Sequence, residues 1–334
     1  METQLTPDEA PPMLEVSGLR VRIRGDNGAF DVVSDMALTV KAGETVCIVG
    51  ESGCGKSMTA LSLLRLLPDA AEIAGGSIVV DGEDFLAMDQ RAVEDRRGEA
   101  IAMIFQEPLT ALNPVLTIGE QIAEAVRRHR AASRRQAMAR AVEVLQMVQM
   151  PDPRRRARQY PHELSGGMRQ RAMIALALAC DPRILVADEP TTALDVTIQA
   201  QILGLISDLQ ARMGTALVLI THDLGVVAET ADRVIVMYAG RRVEEASVYD
   251  LFDHPIHPYT LGLMGAIPRA VAGRPAAERL VDIPGTVPPL WDLPKGCTFA
   301  PRCPTASARC LEERPPFEEK RPGHFAACWE HEHG

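Results

Sequence analysis

The chain has 334 residues, 46% hydrophobic and 24% charged, enough to bury one large core or two ordinary ones, which argues against a mainly disordered protein. Its 35 Lys and Arg against 45 Asp and Glu leave a formal charge of −10, the wrong sign for a surface that gathers nucleic acid. No apolar run of about 18 residues occurs, and the opening METQLTPDEAPP is acidic and proline-rich where a signal peptide would be basic and then apolar, so the chain is expected to stay in the cytoplasm. In that compartment seven cysteines read first as metal or redox groups.

Strands are expected over Leu14–Ile23, Met36–Val40 and Thr45–Val49, the last two joined by a Lys41-Ala42-Gly43-Glu44 turn. The segment GESGCGKS follows, from Gly50 to Ser57, matching G-x-x-x-x-G-K-[ST] between an apolar strand and a helix expected over Ser57–Leu67 and stopped by Pro68. The order has a physical reason. Glycines let backbone N–H groups wrap phosphates, the helix N-terminus adds its positive dipole, Lys56 reaches the β- and γ-phosphates and Ser57 ligates Mg²⁺. Gly50, Glu51, Ser52, Gly53, Cys54, Gly55, Lys56, Ser57 and the following Met58 are therefore candidate nucleotide contacts.

Further strands are expected at Ser77–Val80 and Ala100–Phe105. From Glu107 to Met150 the chain is helical and arginine-rich, with capping boxes at Thr117–Glu120 and Ser133–Gln136, and reads as a helical insertion whose arginines form a solvated face. Beyond Pro161 come a helix (Met168–Ala179), a strand (Ile184–Ala187), a helix (Thr197–Met213), a strand (Leu217–Ile220), a helix (Leu224–Thr230) and a strand (Arg233–Tyr238). Such alternation implies a largely parallel sheet covered on both faces. Past Pro255 proline becomes dense and periodicity fades, which places a boundary between about 250 and 257.

ILVADEP, Ile184 to Pro190, is an apolar strand that ends in two carboxylates. Asp188 would sit over the metal, directly or through water, and Glu189 one residue nearer the γ-phosphate, where a base for water attack is needed. Many buried strands end in an acidic turn, so this pair gains its weight from the phosphate loop.

Added to these, LSGGMRQR, Leu164 to Arg171, resembles the signature of ATP-binding cassette (ABC) proteins. Gln106 in MIFQEP is similar to the family's Q-loop glutamine, Ala193-Leu194-Asp195 to its D-loop, and His222 in LITHD to its switch histidine. The resemblance implies an α/β P-loop NTPase fold with a mixed sheet core, a helical subdomain over about 107–175, and two cassettes closing head to tail over ATP. Lys56, Gln106, Glu189 and His222 would then be catalytic, with Mg²⁺ held by Ser57, Gln106 and Asp188. Leu164, Ser165, Gly166, Gly167 and Met168 would cap the ATP of the partner. Two positions depart from the family: Ile23 stands where relatives stack adenine on an aromatic, with Phe30 out of place for that role, and Met58 stands where many carry Thr or Ser.

Met103 to Ile122 and Asp188 to Leu203 are similar to the peptide importer ATPases of the dipeptide and oligopeptide group, as are HPIHPYT, His254 to Thr260, and a cysteine-bearing tail. On this resemblance the chain divides into a flexible segment (1–13), an ATPase domain (14–252) and a C-terminal extension (253–334). The implied partners are a second, related cassette, two transmembrane permeases and an extracytoplasmic binding protein, with the chain peripheral on the cytoplasmic face of a bacterial inner membrane and no nucleic acid. Importers of nickel or another small solute are the alternative; a soluble ABC ATPase would carry paired cassettes or a coiled coil, and an exporter would often carry fused membrane spans.

Cys297, Cys303, Cys310 and Cys328 lie among Pro301, Pro304, Pro315 and Pro316. Four thiolates in a tail with little apolar periodicity suggest that a metal or cluster supplies order which a small core could not, and spacings wider than zinc knuckles leave cluster, zinc or plain thiols open. The resemblance to peptide importer ATPases implies a 4Fe-4S cluster. The nearby pair His254 and His257 reads as a packed turn that docks the tail.

Overall fold

The computed structural model describes residues 11–25, 28–191, 195–266 and 283–329. Residues 1–10 of the expected N-terminal segment, and Ala193 and Leu194 of the expected D-loop, lie outside the described residues.

β1 (Leu14–Gly25) and β2 (Gly28–Val40) form a long antiparallel hairpin, in which Leu14, Val16, Leu19 and Val21 of β1 turn inward. β3 (Thr45–Val49) is buried throughout and leads into the phosphate loop and α1 (Lys56–Leu63). The helix stops earlier than Pro68 requires because Arg65 adopts a left-handed backbone (φ 52°) and donates to the carbonyls of Phe85 and Met88. The chain can then return early, as β4 (Ala71–Val80) and β5 (Glu83–Asp84), and the first sheet has the order β2-β1-β4-β5.

After α2 (Gln90–Arg96) and β6 (Ile101–Ile104) comes the helical insertion of α3 (Pro108–Ala111), α4 (Ile118–His129), α5 (Arg134–Met147) and α6 (Pro153–Arg156), closed by α7 (Gly166–Ala177). Both capping boxes form: Thr117 and Ser133 each accept a backbone N–H at 3.3 Å, from Glu120 and Gln136. Arg130 and Arg140 both reach Asp181 at 2.5 Å, so part of the arginine-rich face is ion-paired.

β7 (Ile184–Asp188), α8 (Val196–Met213), β8 (Ala216–Thr221), α9 (Leu224–Thr230) and β9 (Arg233–Tyr238) supply the alternating half, followed by β10 (Arg241–Ser247), α10 (Val248–Asp253), α11 (Pro258–Gly265), α12 (Ala308–Glu312), β11 (Glu318–Arg321) and β12 (His324–Ala326). The second sheet runs β11-β12-β10-β9-β3-β8-β7-β6, parallel from β9 to β6 and antiparallel where β12 joins β10 and β11. The chain beyond 257 thus returns to the sheet edge. Among the described residues no helix is long and apolar enough to cross a membrane.

The expected metal in the tail is overturned. Among the described residues no group of three or more His, Cys, Asp or Glu side chains could hold a metal ion. Cys297, Cys303, Cys310 and Cys328 line one cavity of about 10 Å³, about the room of one water molecule. Cys303 and Cys310 instead meet the hydroxyls of Thr305 (3.4 Å) and Ser307 (3.5 Å), and burial pushes the Cys297 thiol up, toward its neutral form. Neither a 4Fe-4S cluster nor Zn²⁺ is supported as the source of order. The tail is ordered by joining the main core: Phe299 packs against Tyr238 of β9 and against Tyr259, with ring centroids 5.2 and 5.5 Å away. His257 is buried beside them, its titration pushed down to about 4, and its neutral Nδ1 accepts the Tyr259 N–H at 3.1 Å to cap α11.

Candidate nucleotide site

The carboxyl ends of parallel strands are where an open α/β sheet presents its loops, and here β3, β7 and β8 deliver the site. Gly55, the residue before α1, has φ +100°, and a Cβ there would meet the Val32 carbonyl oxygen at 2.6 Å. Gly50 is equally constrained, since its Cβ would lie 2.2 Å from the Met237 carbonyl oxygen. These two close approaches fold the loop into a cradle. Lys56, buried, donates from Nζ to the carbonyls of Gly50 (2.7 Å) and Glu51 (3.1 Å).

The cradle opens on a cleft of about 570 Å³ lined by Ser52, Gly53, Gly55, Lys56, Ser57 and Met58 together with Ile23, Val32, Gln106, Glu189 and His222. Ser57 Oγ donates to Asp188 Oδ1 at 3.1 Å, which ties the start of α1 to the end of β7. Burial raises the Asp188 carboxyl, and the neighbouring Glu189 adds to this, while the Ser57 hydrogen bond and the Lys56 charge oppose it.

Glu189 follows with a left-handed backbone (φ 43°), costly for a residue with a Cβ, by about 1–3 kcal/mol, and found where function holds it in place. That bend carries its carboxylate between two partners: Gln106 Nε2 donates to Oε2 at 3.1 Å, and His222 Nδ1 lies 3.4 Å from Oε1. Residues separated by 83 positions in sequence thereby meet at one carboxylate.

The signature residues are elsewhere. Leu164 is buried, whereas Ser165 precedes α7 with its side chain making no capping bond, and Gly166, Gly167 and Met168 form the first turn. None of them lines the cleft of their own chain. Asp195 caps α8 by accepting the Ile198 N–H at 2.9 Å. Buried Gln170, further along α7, donates to the Pro190 carbonyl, a link between that helix and the acidic end of β7 that nothing in the sequence singled out.

Three predicted loop contacts, Gly50, Glu51 and Cys54, are not among the residues that line the cleft. Cys54 is buried, and Glu51 is taken by the tail: its N–H donates to the Tyr259 hydroxyl at 2.8 Å, and its carboxylate receives Arg302 in a bidentate pair at 2.7 and 3.1 Å. Tyr259 lies within the HPIHPYT segment, which is a signal; Arg302 sits among cysteines and prolines with none.

The ABC transporter family matches residues 33–192, and the C-terminal region of oligopeptide/dipeptide transporters matches residues 243–310. A probable peptide ABC transporter ATP-binding protein of Sinorhizobium fredii is 55% identical, covering 98% of both chains. The oligopeptide transport ATP-binding protein OppD of Salmonella typhimurium is 48% identical over 97% of this chain and 95% of its own. Among solved structures, a dimeric ATP-binding cassette in a post-hydrolysis state, bound to ADP and Pi, has a TM-score of 0.64 at 29% identity, covering 71% of this chain and 99% of that one. Phosphate loop, acidic strand end, signature helix and C-terminal region therefore occur together along the whole length, and the chain belongs to the ATP-binding proteins of ABC transporters, in the branch that carries the oligopeptide/dipeptide transporter C-terminal region.

Proposed function

We propose that this chain is the ATP-hydrolysing subunit of a bacterial peptide importer, and that Glu189 is its general base. The observation that carries the reading is the placement of Glu189 between Gln106 and His222, in the cleft that Lys56 and Ser57 also line. A carboxylate held from both sides is positioned to take a proton from a water aimed at the γ-phosphate, with Gln106 orienting that water and His222 sensing the phosphate. Lys56 would exchange its two loop carbonyls for β- and γ-phosphate oxygens.

The donor set fits Mg²⁺. Ser57 Oγ, the Asp188 carboxylate and the Gln106 side-chain carbonyl are hard oxygen donors, and magnesium is commonly held by one or two carboxylates plus substrate phosphates, with no cage of three acidic groups. When bound, the ion neutralises charge on the phosphate oxygens.

Exposed Ser165 and Gly166, with half-buried Gly167 behind them at the start of α7, offer a hydroxyl, bare N–H groups and a helix dipole to an anion outside this chain. This supports a second cassette whose ATP would be capped here with Asp195 beside it; that this cassette is a related but different chain is part of the proposal. Leu109 and Val115, 61% and 75% exposed on the stretch after Gln106, support a docking surface for one of two transmembrane permeases, which an extracytoplasmic binding protein would supply. The chain would then be peripheral on the cytoplasmic face of the inner membrane, and nucleic acid would have no part. The names of the relatives, which specify peptides and oligopeptides, support the cargo class.

Glu189→Gln tests both parts. In the assembled importer it should keep ATP binding while hydrolysis falls at least 100-fold, the usual weight of a positioned base. Cells carrying it should lose peptide uptake; undiminished hydrolysis would remove Glu189 as the base, and retained peptide uptake with loss of nickel uptake would move the cargo to metal ions.

A further inference from the structure

The wall of the cleft beside Ile23 is not made by the cassette alone. Leu290, from the C-terminal extension, lines the same cleft as Ile23, Val32, Lys56 and Ser57. Its neighbour Trp291 is 55% exposed and packs edge-on against Phe30, centroids 5.7 Å apart and planes at 64°. Phe30 is the cross-strand partner of Ile23 in the β1–β2 register. A tight turn, closed by the Asp292 N–H donating to the Pro289 carbonyl at 2.9 Å, presents Leu290 and Trp291 together.

One side chain ties the start of this segment to the phosphate loop. Arg302 donates from Nε to the Pro284 carbonyl (2.9 Å) and from Nη2 to the Ile283 carbonyl (3.3 Å), while the same guanidinium grips Glu51 of the phosphate loop. The segment from Ile283 is thereby pinned to the phosphate cradle itself. Leu290 then packs against both hydrophobic clusters of the protein, the one under the first sheet and the one under the helical insertion.

We propose that residues 283–293 of the extension form the base-binding wall of the nucleotide cleft, with Leu290 against one edge of a purine and Trp291, backed by Phe30, offering it an aromatic surface. This rests on the reading of the cleft as an ATP site, and it deepens that reading. The first strand supplies only aliphatic Ile23 to the cleft lining, while the exposed Trp291 indole rests on Phe30, the cross-strand partner of Ile23, and is able to stack on a flat heterocycle whatever its hydrogen-bonding edge. Base affinity is then a property of the tail, and phosphate affinity a property of the cassette.

Titration calorimetry of the full chain with ATP and with inorganic tripolyphosphate, each with magnesium, separates the two. Trp291→Ala should weaken ATP about tenfold, the scale of one base–aromatic stack, and leave tripolyphosphate affinity as it was. Trp291→Phe should restore most of the ATP affinity, and Leu290→Ala should shift ATP in the same direction as Trp291→Ala. Unchanged ATP affinity in both alanine variants would overturn the proposal, and so would an equal loss for ATP and tripolyphosphate, which would make the segment a mere prop for the phosphate loop. A wild-type chain that binds neither ligand would overturn the nucleotide site itself.

Discussion

Asp188 is a buried acid whose position serves a ligand at the expense of the empty protein. Its carboxyl titrates above the ordinary range, chiefly through burial, so the folded state binds the proton more tightly than the unfolded chain does. The contribution of such a group to stability is fully present below its unfolded pKa and is lost as pH rises through the folded one, leaving a net cost at neutral pH. Asp188→Asn should therefore raise the melting temperature of the nucleotide-free chain at neutral pH, and the gain should shrink as pH falls into the carboxylate range. Thermal melts across pH check this, and the same variant should lose magnesium-dependent hydrolysis. That Lys56, Ser57, Asp188 and Glu189 would come together at one cleft was legible in the sequence, because each belongs to a short motif at a strand end. The contacts of Arg302 and Tyr259 with Glu51 were not, since they span 251 and 208 positions; HPIHPYT marks Tyr259 without naming its partner, and nothing around Arg302 marks it at all. The cysteine spacing misled for a related reason: proline-rich sequence hid the aromatic core that orders the tail without a metal.

At the scale of elements, β10 carries the joint between cassette and tail. Its Glu244 is fully buried and satisfied on both oxygens: Oε1 takes the Ile256 N–H (2.6 Å) and faces His324 Nε2 (2.7 Å), and Oε2 takes the His257 N–H (2.9 Å). Removing that carboxylate strands two backbone donors and a histidine in a dry interior, so Glu244→Ala should cost about 3 kcal/mol or more, read by urea denaturation. His257 adds a pH dependence. Its pKa is depressed to about 4 by burial, so on this group's account stability is fully present above the ordinary histidine range and is lost as pH falls from there toward 4. His257→Asn, which can still cap α11 but does not titrate, should flatten that part of the stability profile in urea melts between neutral pH and pH of about 5. Elements with their own periodicity or caps, such as α4, α5 and β3, could be read from sequence; β11 and β12 could not, being short, charged or mixed, and strands only because β10 offers them an edge.

For the molecule as a whole, cassette and tail share one sheet, one buried carboxylate network and one nucleotide-cleft wall. Scanning calorimetry of the full chain should accordingly give a single cooperative transition; two separated transitions would mean that the tail folds apart from the cassette. The shared sheet has a further consequence. Its edge strand on the tail side is β11, four residues reading EEKR and exposed except at Lys320, where two acids followed by two bases and a short length discourage a second chain from adding on. Without the tail that place would pass to β10, seven residues long with Val243 and Ala246 otherwise buried, and its unpaired backbone would become a template for aggregation. The extension thus protects the solubility of the cassette that it helps to build.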